Sequence, residues 1–137
     1  MDDKAYKEYE LGCEKAREAN LKLLDEFKDY LVSKSLTPKT IRRHVTNMEF
    51  YANSYLLRYD VVPVEKGALQ IRGFLGDYFI RTACWGSSNA VKENIGSFKK
   101  FYAYLNEMGY TSNDDFGMMK EIIKEEKEDW CALADRY

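Results

Sequence analysis

The sequence has little of what metal, redox and membrane sites require. Its 137 residues include one histidine and three widely spaced cysteines, and no CxxC or paired-histidine spacing suggests a zinc site. No apolar run approaches the roughly 18 residues of a membrane span, and residues 1–20 are charged throughout, unlike a secretory signal. We therefore expect a cytoplasmic protein with reduced thiols, no metal or other cofactor, and no membrane partner.

Sequence signatures of catalysis are missing too. The chain has no GxSxG motif and no glycine-rich phosphate-binding loop, and its glutamates show no paired-carboxylate arrangement. His44 has no second ligand at metal-binding spacing, so we expect a hydrogen-bonded, half-buried imidazole. The sequence thus predicts a protein that is not an enzyme and has no evident small-molecule substrate.

Apolar residues recur in steps of three and four, whereas no segment alternates with period two for long enough to form a strand. The chain is therefore predicted to be all-α, and its length indicates one domain over residues 1–137. Asn20 interrupts the first stripe and Gly12 weakens it, which predicts a bend or a break in the first helix. The predicted helices cover residues 3–33, 37 to about 58, 66–83, 87 or 88 to 109, and 114–136.

The charge is unevenly distributed along the chain. The net charge is −2 overall, but it is −3 over residues 1–30, +5 over residues 31–110 and −4 over residues 111–137. A basic centre flanked by acidic ends matters more for the choice of partner than the total does. The alternative interpretation is that the acidic terminal helices are simply solvated surfaces.

An internal repeat links the second and fourth predicted helices. The stretch "SLTPKTIRRHV" begins with a threonine cap and a proline at the first helical position, and "GSSNAVKENI" repeats a hydroxyl cap fifty residues later. A shift of fifty aligns Thr37 with Ser87 and Arg42 with Lys92. A shift of forty-eight similarly aligns apolar positions of the first and third helices. The matched caps and the basic residues that follow them are the more informative part of this repeat, because the apolar positions of any two amphipathic helices can be aligned.

The residues resemble a known family. "LLDEFKDYLVSKSLTPKTIRRHVTNMEFYANSYL" is similar to the first half of the core-binding domain of tyrosine recombinases (phage integrases), and "FLGDYFIRTACWGSSNAVKENIGSFKKFYAYLNEMGY" is similar to its second half. The resemblance covers about residues 20–110. It implies an orthogonal four-helix, SAM-like bundle made of two helical hairpins. An N-terminal helical extension and an additional C-terminal helix, about 114–136, would complete the domain.

The resemblance also implies a function. In that family the module holds duplex DNA, and the N-termini of its second and fourth helices face the phosphate backbone. Carried over residue by residue, it implies double-stranded DNA as the partner and a link to DNA recombination or integration. The candidate DNA-binding residues are Thr37, Lys39, Thr40, Arg42, Arg43, Ser87, Ser88, Asn89, Lys92, Lys99 and Lys100.

Two departures from the family pattern leave an alternative open. The catalytic domain is absent, and nothing around Tyr137 supplies the arginines of a phosphotyrosine transition state. The acidic last helix is expected to pack on the first helix, and near the basic surface it would repel phosphates. The alternative is a helical protein-interaction module that keeps the fold without binding DNA and uses its last helix for a partner or for self-association. The aromatic run Phe98, Phe101, Tyr102 and Tyr104 is expected in the core, with base stacking as the other interpretation.

Overall fold

The computed structural model describes residues 2–82 and 87–137, and all the regular structure in these two ranges is helical. The all-α prediction is confirmed. The described residues fall into two compact units, Met1–Val64 and Glu65–Tyr137. The single-domain organisation, the orthogonal arrangement of four helices and the packing of the last helix on the first stay predictions. The end of the third helix at residue 83, the break at residues 85–86 and the reduced thiol of Cys84 lie outside the described residues.

The first unit is a helical hairpin. Its elements are α1 (Asp3–Ser33), α2 (Pro38–Phe50) and a π-helical turn (Tyr51–Tyr55) that continues α2. The hydroxyl of Tyr9 donates to the backbone carbonyl of Leu57, so the beginning of α1 lies beside the end of the second helical segment. Buried apolar side chains from both arms form the core, including Phe27, Leu31, Ile41, Met48 and Tyr51.

The predicted break in α1 is absent, because α1 is one continuous helix of 31 residues. Asn20, which interrupts the apolar stripe, is buried, and its side-chain amide donates to the Asn53 side-chain oxygen at 2.8 Å. A buried polar group is tolerated when it is hydrogen-bonded. Asn20 therefore continues the packing surface of α1 rather than breaking it.

The second unit begins irregularly. Two 3₁₀ turns replace the predicted start of the third helix: Val64–Lys66, which begins at the last residue of the first unit, and Ala68–Gln70. The rest of that segment is α3 (Ile71–Gly73), a π-helical turn (Phe74–Tyr78) and α4 (Phe79–Thr82). Two long helices follow, α5 (Ser88–Glu107) and α6 (Asn113–Arg136).

Helices α5 and α6 form an antiparallel hairpin, since the first residue of α5 contacts the end of α6. Gly109 ends α5 with a φ of +78°, a conformation that favours glycine. Trp130 of α6 is buried against Gly76, where an added Cβ would lie 3.0 Å from the indole nitrogen. The ion pair between Arg72 and Glu126 also connects α3 to α6.

Aromatic rings form much of the core of the second unit. The rings of Phe74 and Phe98 lie 5.9 Å apart, and Phe101 and Tyr102 meet edge to face at 5.4 Å. Phe98, Phe101, Tyr102 and Tyr104 are all at most 5% exposed, which confirms that this run belongs to the core. Burial raises the pKa of the Tyr102 phenol well above its usual value, and the nearby Glu65 carboxylate raises it further.

The fifty-residue repeat is visible in the helix starts. The side chain of Thr37 accepts a hydrogen bond from the backbone N–H of Thr40, and that of Ser87 accepts from Ala90, so both predicted caps are confirmed. The aligned apolar pairs Ile41 with Val91 and Met48 with Phe98 are buried. The aligned pairs Tyr51 with Phe101 and Tyr55 with Leu105 are buried as well, but from Tyr51 the first helix becomes a π-helical turn while α5 continues as an α-helix.

Candidate nucleic-acid interface

The start of α2 is capped by local interactions. The Thr37 hydroxyl oxygen lies 3.3 Å from the Thr40 backbone nitrogen, and Pro38 occupies the first helical position, where its missing N–H has no effect on the helix. The first turn contains no acidic residue. The first turn of α2 thus contributes no carboxylate to offset the partial positive charge of the backbone dipoles at this end.

Three exposed cations lie on one side of this helix start. Lys39 precedes Arg42 by three residues and Arg43 by four, so it is a neighbour of both on the surface of α2. Their side chains form no ion pair or hydrogen bond with any residue that the structure describes. We call Thr37, Lys39, Thr40, Arg42 and Arg43 the α2 site.

The other long helices have a carboxylate at their N-terminal ends. Asp2 caps α1 with a 2.7 Å hydrogen bond from the Ala5 N–H, and Asp3 follows in the first turn. Helix α6 has Asp114 and Asp115 in its first turn. A carboxylate there stabilises the positive end of the helix dipole. Helix α1 combines Lys4 with Asp3 in its first turn, whereas the first turn of α2 has Lys39 and no acidic residue.

The start of α5 already holds a carboxylate from α6. The Ser88 backbone N–H donates to Asp135 Oδ1 at 2.9 Å, and the Cys131 thiol lies 4.0 Å from the Ser88 carbonyl oxygen. Asn89 and Lys92 are exposed beside this contact. A phosphate bound to Ser88 would therefore have to replace the Asp135 carboxylate, and the predicted roles of Ser87, Ser88, Asn89 and Lys92 stay predictions.

Lys99 and Lys100 are exposed further along α5, and Lys99 lines a groove that the sequence did not predict. This groove has a volume of about 640 Å³, and its lining combines Lys99 with residues of α6. We call it the lysine groove. Its lining residues are Lys99, Lys120, Glu121, Ile123, Lys124 and Lys127.

The sequence did contain a signal for the lysine groove. Lys120, Lys124 and Lys127 recur at spacings of four and three, which places them within about 60° of arc on a helix. The net charge of the C-terminal segment concealed this pattern, since its acidic residues outnumber its basic ones. Charge counted by segment does not separate the faces of a helix.

The rest of the described chain contains no further candidate site among its histidine, cysteine and carboxylate residues. His44 is buried rather than half-buried, with 4% of its surface exposed. No three histidine, cysteine or carboxylate side chains of residues 2–82 and 87–137 are grouped so that they could hold a metal ion. Cys13 and Cys131 are free thiols. Within the same ranges, no helix combines the length and the apolar character needed to cross a bilayer.

Comparison with protein-family models, curated proteins and solved structures finds no match to this chain. The similarity to the recombinase core-binding domain consequently rests on the residues quoted above.

Proposed function

We propose that the protein is a non-catalytic, cytoplasmic DNA-binding module that contacts the phosphate backbone of duplex DNA, in a role linked to DNA recombination or integration. The observation that supports this proposal is the α2 site, where Lys39, Arg42 and Arg43 stand unpaired beside a helix N-terminus without an acidic residue. Helix N-termini and basic side chains are the groups that proteins use to position phosphates.

The electrostatic energy of the α2 site also supports phosphate binding. Cations near the positive end of a helix are unfavourable by about 0.3–1 kcal/mol, and like charges four residues apart repel each other. Lys39 lies in the first turn and forms such a pair with Arg43. A bound phosphate would remove both penalties, so the local electrostatics favour an anion at this position.

Duplex DNA is a better candidate than a single strand. Single-strand binding proteins stack bases on exposed aromatic rings, whereas the aromatic run of α5 is buried. Backbone contacts from short basic patches suit a duplex, whose two strands carry one phosphate charge per about 1.7 Å of axis. We therefore expect affinity with little dependence on DNA sequence.

The test is a fluorescence anisotropy titration of a short labelled duplex over about 50–200 mM salt. The triple variant Lys39→Gln, Arg42→Gln, Arg43→Gln should bind more weakly. Its log–log slope against salt should be shallower by about 2.7, because each lost phosphate contact removes about 0.9. All three side chains are exposed, so we expect the variant to fold. Circular dichroism checks that it does.

The matched control removes three exposed positive charges from α1, with Lys4→Gln, Lys15→Gln and Lys22→Gln. It changes the net charge equally, so it measures the contribution of overall charge. If the α2 variant and this control behave alike, the α2 site has no specific role in binding.

One observation favours a second candidate function, a protein-interaction module. The Asp135 carboxylate lies at the start of α5, where the DNA hypothesis requires a phosphate. In this alternative the repeat is retained for folding only, and α6 contributes to association. Trp130 is 3% exposed and packs on Gly76, so a partner would contact the exposed side of α6. A concentration-dependent dimer by sedimentation, together with no duplex binding at low salt, would favour this candidate.

A further inference from the structure

We infer that the lysine groove is a second contact surface for the phosphate backbone of duplex DNA, an inference that rests on the proposed function and extends it to α6. The groove is built between α5 and α6, and four lysines line it against one carboxylate, that of Glu121. Its floor includes the buried side chain of Ile123. None of these α6 residues belongs to the part of the chain that resembles the recombinase module.

The first argument is the state of the lysines. Lys99, Lys124 and Lys127 form no ion pair or hydrogen bond with any described residue, although α6 carries many carboxylates. Lys120 lies over the Phe116 ring at 4.3 Å, a contact that leaves its ammonium group able to bind an anion. The positive charge of the groove is therefore not neutralised by the fold.

The second argument is the arrangement of charge on α6. Acidic and basic residues usually stabilise an exposed helix when they alternate at spacings of four. Here Lys120 and Lys124 form a like-charge pair at that spacing, and so do Glu121 and Glu125, whereas Lys124 and Glu128 form a mixed pair. This segregation makes the helix less stable than mixed pairs would. What it provides is a row of three lysines next to Lys99, with Glu121 as the one carboxylate of the lining.

The third argument is length. The positions of Lys120 and Lys127 are separated by about 10.5 Å along the helix axis. One strand of a duplex carries a phosphate every 3.4 Å or so along its axis, so this row spans about three phosphates. Lysine ammonium groups on flexible stems bind such a row as point charges, without the bidentate geometry of arginine.

A membrane surface is a weaker candidate for this groove. Helices that lie on membranes expose apolar side chains beside their basic residues. In α6 the apolar side chains Ile122, Ile123 and Trp130 are buried. Met118 is the large apolar residue of α6 that is exposed, and its position is about 160° around the helix from Lys120. Charge without accessible apolar surface fits a backbone of phosphodiesters better than a bilayer.

The experiment compares three triple variants in the same anisotropy titration of a short labelled duplex. The groove variant carries Lys120→Gln, Lys124→Gln and Lys127→Gln, and the other two are the α2 variant and the α1 control. We expect the groove variant to have a salt slope shallower than the wild type by about 2.7. That corresponds to about a 40-fold smaller loss of affinity between 50 and 200 mM salt. Thermal melting checks that each variant is folded.

The outcomes separate the two proposals. If the groove variant matches the α1 control while the α2 variant loses affinity, this inference is wrong and the proposed function stands. If the groove variant loses affinity and the α2 variant does not, the groove binds DNA and the α2 site does not. A wild-type chain that leaves the duplex unbound at low salt overturns both. Cosedimentation with phosphatidylserine vesicles, lost in the groove variant and without any duplex binding, would assign the groove to lipid and contradict the inference.

Discussion

At the scale of single residues, Ser35 has an unusual backbone conformation. Its φ is +65°, the one positive value at a non-glycine residue in the described chain. It lies in the connection between α1 and α2, where the Leu36 N–H donates back to the Leu31 carbonyl at 3.3 Å. A side chain in the left-handed region is unfavourable, whereas glycine adopts it freely.

Ser35→Gly should therefore stabilise the protein. We expect the free energy of unfolding to rise by about 0.5–1 kcal/mol, less whatever glycine adds to the entropy of the unfolded chain. Urea unfolding at equilibrium measures the difference. The matched control is Gly109→Ser, which places a side chain at φ +78° with open space around it and should destabilise by a similar amount. A neutral or destabilising Ser35→Gly would show that the serine side chain is important here.

At the scale of elements, the contact between α5 and α6 can be tested through Asp135. Asp135→Asn keeps a hydrogen-bond acceptor for the Ser88 N–H and removes the negative charge at the start of α5. The free energy of unfolding should fall by about 0.3–1 kcal/mol, the usual contribution of a charge at a helix end. Duplex affinity should rise, because the repulsion between this carboxylate and the phosphates is lost.

The control for Asp135 is Asp129→Asn, an exposed aspartate of α6 with the same change of charge. It should leave the free energy of unfolding within about 0.5 kcal/mol, as surface substitutions usually do. Chemical denaturation and anisotropy on both variants provide the comparison. Equal effects from the two substitutions would mean that the contact with Ser88 contributes nothing beyond overall charge.

The sequence predicted those elements whose signals are local. Apolar stripes and caps identified four long helices, and Thr37, Ser87 and Gly109 were assigned correctly because each acts within a few residues. The 3₁₀ and π-helical turns of the third segment were missed, since their stripes resemble that of an α-helix. The contact of Asp135 with Ser88 joins residues 47 positions apart, and no periodicity signals such a pair.

At the scale of the whole molecule, Tyr102 connects stability to pH. Its folded-state pKa is raised by burial and by Glu65, whereas the unfolded chain titrates near the ordinary value of about 10. A raised folded pKa means that the folded protein keeps its proton longer. The stabilising contribution is therefore complete below about pH 10 and is lost progressively as the pH rises toward the folded value.

We expect the free energy of unfolding to fall above about pH 10, by up to 1.4 kcal/mol per pH unit for this group. Tyr102→Phe should remove that part of the slope, whatever it does to stability at neutral pH. The control is Tyr59→Phe, since Tyr59 is 80% exposed. Urea unfolding at several pH values gives the slopes. Identical slopes in the wild type and Tyr102→Phe would show that Tyr102 ionises normally.

The distribution of charge over the molecule could be predicted only in part. The basic centre of the chain led to the α2 site, where Lys39 precedes Arg42 by three residues and Arg43 by four, spacings that make them neighbours on one helix. The lysine groove joins residues from two helices, and it appears only when α5 and α6 are packed together. Counts of charged residues along the chain detect a surface on one helix, such as the α2 site. They miss a surface that two helices form together, such as the lysine groove.

The start of α2 has a consequence for how this protein can evolve. Selection for stability alone would favour an aspartate or glutamate in place of Lys39, as at Asp114, which occupies the equivalent position of α6. Lys39→Glu should thus give a more stable protein with weaker binding to duplex DNA. A retained lysine at this position would represent a trade-off between stability and activity, of the kind often found at functional sites.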